Sequence, residues 1–215
     1  MVLCHRERYV KLARRRFAGR QVKVERLVEA IRQNFNVQLR VTQSGGIEYI
    51  SGSIQQVDSG RYFGNSIDPD WLPPPTVADV CDQAARAAAA LGWQGVCGLD
   101  LIEEEGGEVW LIDPNFRLNG TTPFFLLGDY LAHWHRSAQL LTGYFCYPGA
   151  PAELFDRLSR EIHRRELVVI GVHYEPGGDG VTRIYAAAVS DGDPEAQAAL
   201  LRIFAAKGFC AGIGL

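Results

Sequence analysis

The sequence predicts an α+β fold in which a largely antiparallel sheet has flanking helices. Three pairs of strand-like runs, each joined by a turn that contains glycine, are typical of β-hairpins. Helical patterns separate these hairpins, and the strand-helix-strand order of a parallel sheet is not seen. The 215 residues, 47% of them apolar, are enough for a sizeable core. A disordered chain is therefore not expected.

The first part of the chain combines a basic helix with the first hairpin. We predict that residues 1–20 are a basic N-terminal helix ended by Gly19, and that residues 21–215 form one domain. A helical turn is expected near 27–31, and Gly45-Gly46 is expected to form a tight turn. The strands of this part are predicted at 21–26, 36–43 and 47–57.

Charge is distributed unevenly along the chain. Residues 1–40 carry +8 and the rest carries −11, although the net charge is −3. Such a basic segment suits a nucleic-acid arm, a surface for a phosphate-bearing ligand, or a solvated helix. No recognisable nucleic-acid module accompanies it, so we do not expect a nucleic-acid partner.

The middle and end of the chain continue the alternation. The cluster 68-DPDWLPPP-75 cannot extend a helix or a strand, and Thr76 is the expected N-cap of the next helix. Two further hairpins are predicted at 94–105 with 108–114 and at 167–174 with 181–189. Helices are predicted at 77–91, 123–142, 152–164 and 194–206.

Several protein classes are disfavoured by the composition. The five cysteines show no C-x-x-C spacing, which argues against a disulfide framework and a zinc site. The histidines lack metal-binding spacing, and the serines lack the context of a hydrolase nucleophile. With no apolar run of membrane-spanning length and no secretory signal, we expect a soluble, cytoplasmic protein that does not contact membranes.

One constellation carries candidate chemistry. Asp113, Asn115 and Arg117 alternate after an apolar strand, so they share a face if the extended conformation persists. Asp100, in the partner strand, is expected opposite Asp113. Paired carboxylates and an amide oxygen suit Mg²⁺, and a guanidinium suits a phosphate. An equally weighted alternative is an ordinary turn at 113–115 with Asp100 as a bulge or edge residue.

Two threonines follow this motif and allow two interpretations. Thr121 and Thr122 are placed to hydrogen-bond a substrate carboxylate. They are equally well placed to cap the helix predicted from residue 123. The sequence does not choose between these roles.

The motifs 98-GLDLI-102 and 112-IDPNFRLNGTTP-123 resemble the C-terminal half of the ATP-grasp fold. The stretch 22-VKVERLVE-29 is similar to the family's hinge strand, with Glu25 at the position that contacts adenine and ribose. The stretch 51–69, with Gln55 and Asn65, resembles the branch that includes pheganomycin-type peptide ligases.

This resemblance implies a ligase that joins a carboxylate to an amine through an acyl phosphate, using ATP and Mg²⁺. It implies metal and ATP binding by Asp100, Asp113 and Asn115, and a catalytic Arg117. The residues that it assigns to substrate are Gln55, Asn65, Thr121 and Thr122.

Two departures from the family pattern affect these expectations. Asp113 stands where the family usually has the longer glutamate, which alters the geometry at Mg²⁺. The family's first lobe, with its phosphate-binding lysines and glycine-rich lid, has no counterpart in the sequence. We therefore expect either a partner chain that supplies this lobe, or a non-catalytic remnant that serves as a binding or scaffold module.

Overall fold

The computed structural model describes residues 18–20, 27–58, 61–134, 139–190 and 196–211. Residues 18–20 form a turn, and the preceding part of the predicted basic helix lies outside the described residues. The strand predicted at 21–26, with Glu25, also lies outside them.

The described residues form nine strands and four helices. The strands are β1 (Ile31–Val41), β2 (Ile47–Asp58), β3 (Arg61–Ile67), β4 (Gly95–Glu104), β5 (Val109–Asn115), β6 (Gln139–Pro148), β7 (Leu167–His173), β8 (Val181–Ser190) and β9 (Cys210–Ala211). The helices are α1 (Pro75–Ala90), α2 (Thr122–Ala132), α3 (Pro151–His163) and α4 (Ala196–Ala206).

All nine strands belong to one sheet. Eight follow the order β5-β4-β1-β2-β3-β6-β8-β7, and β9 pairs with β6. Every pairing is antiparallel. The predicted α+β class with a largely antiparallel sheet and flanking helices is confirmed.

The helices divide between the two faces of the sheet. Helix α1 packs against one face of β1 and β4, where Val37, Leu39 and Leu99 are buried. Helices α3 and α4 contribute Leu154, Leu158 and Phe204 to a second cluster on β6 and β8. Helix α2 packs against the residues of β8 that point the other way, including Tyr185 and Ala187. The face that carries α2 therefore differs from the one that α3 and α4 cover.

The three hairpins form where they were predicted, but other boundaries differ. Residues 27–30 are not a helical turn, because β1 already begins at Ile31 and pairs there with Glu104 of β4. Strand β3 was not predicted. Thr76 is not the N-cap of α1: the helix begins at Pro75 with Pro74 as the cap, since a proline suits the first turn, whose N–H groups lack partners.

The helix predicted over 123–142 is wrong in its second half. Helix α2 ends at Ala132, and residues 139–148 form β6, which pairs along its whole length with β8. An apolar run such as LLTGYFCY is compatible with a buried helix or a buried strand by periodicity alone. The long pairing with β8 decides in favour of the strand.

None of the helices among the described residues is long and apolar enough to cross a membrane.

Gly64 is required where the two halves of the sheet meet. Strands β3 and β6 join through Ser66 with Leu141 and Ile67 with Leu140. A Cβ atom at Gly64 would lie 1.6 Å from the carbonyl oxygen of Thr142. The backbone of β6 is held by β8 and cannot move away cheaply.

We therefore expect Gly64→Ala to lower the free energy of unfolding by about 2–3 kcal/mol, as overpacking does. Chemical denaturation measures this change. Gly106→Ala is the matched control, because a Cβ atom added at Gly106 would have no other atom within 4 Å. Equal stability of the two variants would show that the β3–β6 joint tolerates the extra methyl group.

Candidate metal and nucleotide site

Two acidic side chains face each other across the β4–β5 hairpin. Asp100 pairs with Asp113, as the sequence predicts, and the register shifts between Asp100 and Leu101. Leu99 and Leu101 are buried in the core beside α1. Alternation along β4 therefore places Asp100 on the opposite face.

Asp100 is held by two neutral amides. Asn36 Nδ2 and Gln55 Nε2 donate to the same carboxylate oxygen, Oδ1, at 2.7 and 2.8 Å. Burial raises the pKa of Asp100 above its ordinary value, and the Asp113 carboxylate adds to the rise. The two amide donors and Arg117 oppose it. A half-buried carboxylate beside a second one is stabilised by a cation.

Asn115 completes the group on the strand, but Arg117 does not lie on it. Asn115 Nδ2 lies 3.1 Å from Asp113 Oδ2 and 3.4 Å from Asp100 Oδ2. Strand β5 ends at Asn115, and the N–H of Arg117 donates back to the carbonyl of Asn115 at 2.8 Å. The predicted alternation thus holds for Asp113 and Asn115 and stops before Arg117.

Arg117 is exposed beside the carboxylates. Its Nη1 donates to the carbonyl of Leu118 at 3.2 Å. No salt bridge between described residues involves Arg117. The guanidinium therefore has donors available for a ligand's phosphate or carboxylate groups.

These residues suit a Mg²⁺ ion that is shared with phosphate and water better than a metal ion whose ligands all come from the protein. The described residues contain no group of three or more His, Cys, Asp or Glu side chains that could hold a metal ion. Mg²⁺ in nucleotide sites commonly takes one or two carboxylates together with phosphate oxygens and water. Rotation of the Asn115 amide would present Oδ1 in place of Nδ2, giving a third protein oxygen at the same point.

The loop between β5 and α2 is organised by Asn119. Asn119 Oδ1 accepts from the N–H groups of Thr121 at 3.1 Å and Thr122 at 3.3 Å, while Asn119 N–H donates to Thr122 Oγ1 at 3.0 Å. This reciprocal pattern joins Asn119 to Thr122 across the loop, while the N-cap of α2 is Thr121, which makes no side-chain cap hydrogen bond. Gln38 Nε2 also donates to Asn119 Oδ1 at 2.5 Å.

The glycine of the GLD motif makes room for this loop. A Cβ atom at Gly98 would lie 2.2 Å from Asn119 Nδ2. Gly98 pairs with Asn115 across the hairpin, two residues before Asp100. The glycine therefore lets the Asn119 side chain approach the strand that carries the half-buried Asp100 carboxylate.

The four predicted substrate residues differ in accessibility. Gln55 is half-buried and touches Asp100, whereas Asn65, Thr121 and Thr122 are 1%, 4% and 1% exposed. Thr121 Oγ1 lies 3.0 Å from Asn36 Oδ1 and 2.8 Å from Asn119 Oδ1. Both threonine hydroxyls are thus hydrogen-bonded within the fold, and neither provides a side-chain cap for α2.

A second polar group adjoins Gln55. Asn65 accepts from Ser53 Oγ at 3.1 Å and donates to the Tyr62 hydroxyl. Burial raises the pKa of Tyr62, and the nearby Tyr185 hydroxyl and the Asp100 carboxylate act in the same direction. Tyr62 therefore contributes a neutral hydroxyl close to the carboxylates.

Sequence reasoning missed Asn36, Gln38 and Asn119. Asn36 and Gln38 alternate with Val37 and Leu39, which predicts a strand with one polar face. That pattern does not distinguish a solvent-facing side from a buried polar one, and here the two side chains are 2% and 0% exposed. The burial of these two amides on one face of β1 becomes apparent only when the strand is seen to pair with β4.

Solved structures share this fold at low sequence identity. N5-carboxyaminoimidazole ribonucleotide synthetase from Thermus thermophilus matches with a TM-score of 0.65, 15% identity, and coverage of 95% of this chain and 58% of that chain. The Staphylococcus aureus N5-carboxyaminoimidazole synthetase matches with a TM-score of 0.64 and 8% identity, over 95% of this chain and 58% of that chain. Biotin carboxylase from Campylobacter jejuni matches with a TM-score of 0.56 and 10% identity, over 88% of this chain and 48% of that chain. The chain thus spans roughly half of each.

The antiparallel sheet, its helices and these matches show that the chain shares the fold of these enzymes. Residues 1–115 match the family described as L-aspartate–L-methionine ligase, ATP grasp. The chain belongs to this family, and the matched segment includes Asp100, Asp113 and Asn115.

The raised pKa of Asp100 has a consequence for stability. Because folding penalises the ionised form, the contribution of this group to stability is most favourable below the ordinary pKa of 3.8 and is lost as pH rises through the folded pKa. Asp100→Asn should therefore raise the free energy of unfolding at neutral pH without divalent cations. The gain should shrink as pH falls toward 3.8.

Denaturant unfolding across pH measures this effect. Asp156→Asn, at an exposed position of α3, controls for the loss of one negative charge. A loss of stability in Asp100→Asn at neutral pH would contradict the expectation.

Proposed function

We propose that this chain is the Mg²⁺-ATP-binding C-terminal part of an ATP-grasp ligase that joins a carboxylate to an amine through an acyl phosphate. The observation that carries the proposal is Asp100 opposite Asp113, with Asn115 between their carboxylates. Membership of the aspartate–methionine ligase family supports the ligase class.

The family description also supports a substrate class. It names two amino acids, so we propose that this chain acts on small amino-acid-like carboxylate and amine substrates and forms an amide bond. A peptide ligase of the pheganomycin type belongs to the same substrate class. We further propose that the reaction takes place in the cytoplasm, where ATP is supplied.

The proposed reaction has two steps. A carboxylate oxygen attacks the γ-phosphorus of ATP, forming an O–P bond and breaking the bond to the β-phosphate, so that ADP leaves. The amine nitrogen then attacks the acyl carbon, phosphate departs with the C–O bond electrons, and the nitrogen loses a proton. Bound Mg²⁺ would withdraw charge from the phosphate oxygens.

The residues of this chain would position these groups. Asp100, Asp113 and Asn115 would hold the metal, and Arg117 would bind the phosphoryl oxygens or the carboxylate with the donors that the described residues leave unused. Gln55 is the accessible candidate for a substrate contact, whereas Asn65, Thr121 and Thr122 would act from beneath the surface. Glu25 would contact adenine and ribose.

A further lobe would complete the site. The solved ATP-grasp structures extend well beyond the region that this chain matches, since the chain covers 58% of the Thermus synthetase. We propose that additional polypeptide, in a partner chain, covers the nucleotide and supplies the remaining phosphate contacts. The shorter Asp113 favours one alternative, a non-catalytic module that binds without turning over.

Calorimetric titration with Mg²⁺-ATP tests this proposal. We expect binding by the wild-type chain, and a loss of affinity of about tenfold or more in both Asp100→Asn and Asp113→Asn, because each removes a charged metal ligand. Asp156→Asn, an exposed change of equal charge on α3, should bind like the wild type.

The variants separate the alternatives. Binding that both carboxylate variants retain in full would contradict the metal site. Binding without ADP formation, when amino acids and the completing chain are present, would favour the scaffold module.

A further inference from the structure

Asn36 lies between the carboxylate pair and the loop that carries Arg117. It is 2% exposed, and both ends of its amide are engaged. Nδ2 donates to Asp100 Oδ1 at 2.7 Å, while Oδ1 lies 3.0 Å from Thr121 Oγ1 and 3.4 Å from Gln38 Nε2. One buried side chain thus contacts both the predicted metal ligand and the start of α2.

The loop side of this contact is itself well supported. Gln38 Nε2 lies within hydrogen-bonding distance of Asn36 Oδ1, Asn119 Oδ1 and Thr121 Oγ1. The amide cannot be reversed, because that would bring its carbonyl oxygen against the oxygens of Asn36 and Asn119. The hydrogen bonds among Asn119, Thr121 and Thr122 then connect this position to residues 119–122, which follow Arg117 and Leu118.

Gln38 adopts this orientation at a cost. It is fully buried, and its Oε1 has no hydrogen-bond partner among the described residues. A buried acceptor without a partner destabilises the folded state, so packing alone does not explain a polar side chain here. Holding Asn36, Asn119 and Thr121 in one arrangement explains it.

The geometry points to Asn36 as a positioning residue that couples the Asp100 carboxylate to the 117–122 loop. This inference rests on the metal site of the proposed function. Because Asn36 is neutral, it orients Asp100 without neutralising the charge that attracts a cation. Displacement of the loop should therefore disturb metal binding through Asn36, even though no residue of the loop is among the proposed metal ligands.

Thr121→Val tests this coupling, because it removes a hydroxyl that contacts Asn36 but no carboxylate. The measurement is the affinity of the nucleotide-free chain for Mn²⁺, determined by electron paramagnetic resonance. Asn36→Leu should weaken binding by about 10- to 100-fold, as loss of a residue that supports a metal ligand does. Thr121→Val should weaken it by about 3- to 10-fold, since it removes one support of Asn36.

Thr142→Val is the matched control. Thr142 is 3% exposed, accepts from Asn65 N–H at 2.9 Å and lies 3.2 Å from the Tyr185 hydroxyl, outside the Asn36 contacts. Its Mn²⁺ affinity should stay within about twofold of the wild type. In the Asn36→Leu background, Thr121→Val should add no further loss, because the two residues act through the same path.

The outcomes separate the two proposals. Wild-type affinity in folded Thr121→Val, or losses that add in the double variant, would overturn the positioning role and leave the metal site in place. If the wild-type chain binds neither Mn²⁺ alone nor Mn²⁺-ATP, both proposals are overturned. If Asn36→Leu does not fold, the comparison of Thr121→Val with Thr142→Val decides the question alone.

Discussion

The opposition of Asp100 and Asp113 on a partly buried sheet face is the constraint on which the site depends. Two carboxylates so placed repel each other, and Asp100 also loses hydration, whereas Asp113 is exposed. No salt bridge between described residues involves either carboxylate. Neutral amides hold Asp100 instead. The repulsion between the two carboxylates therefore stays unfavourable until a cation binds between them. An arrangement that lowers stability in this way is expected of a binding site.

The register of the antiparallel sheet sets the positions of the side chains around these carboxylates. Register in β4 and β5 sets the two carboxylates opposite each other, and register in β1 and β4 sets Asn36 beside Asp100. Glycine then permits the close approaches that the arrangement needs. Gly98 admits the side chain of Asn119, and Gly64 admits the backbone of β6. The same feature, lack of a Cβ atom, therefore serves the loop in one place and the joint between sheet halves in the other.

Hairpins were predictable from the sequence because their information is local. Gly106-Gly107 fixes a short turn between two patterned strands, so Asp100 and Asp113 could be placed opposite each other before the structure was known. Strand β6 could not be recognised in this way, since its apolar run suits a helix equally well and only its pairing with β8 identifies it. Asn36 and Asn119 were missed for a related reason. They are separated from Asp100 and Gln38 by 64 and 81 positions, and local patterns carry no such contacts.

The number of protein oxygens argues for linkage between metal and nucleotide. With one oxygen from each group, the two carboxylates and the Asn115 amide would give a bound Mg²⁺ three ligands, whereas Mg²⁺ takes six in near-octahedral order. Water or phosphate must provide the others. Phosphate contributes negative charge as well as oxygen ligands, so a bound nucleotide should raise the affinity for the metal. The metal should raise the affinity for the nucleotide by the same factor. In the proposed site, Asp113 would reach less far than a glutamate, so more of the coordination shell would be left to the nucleotide and water.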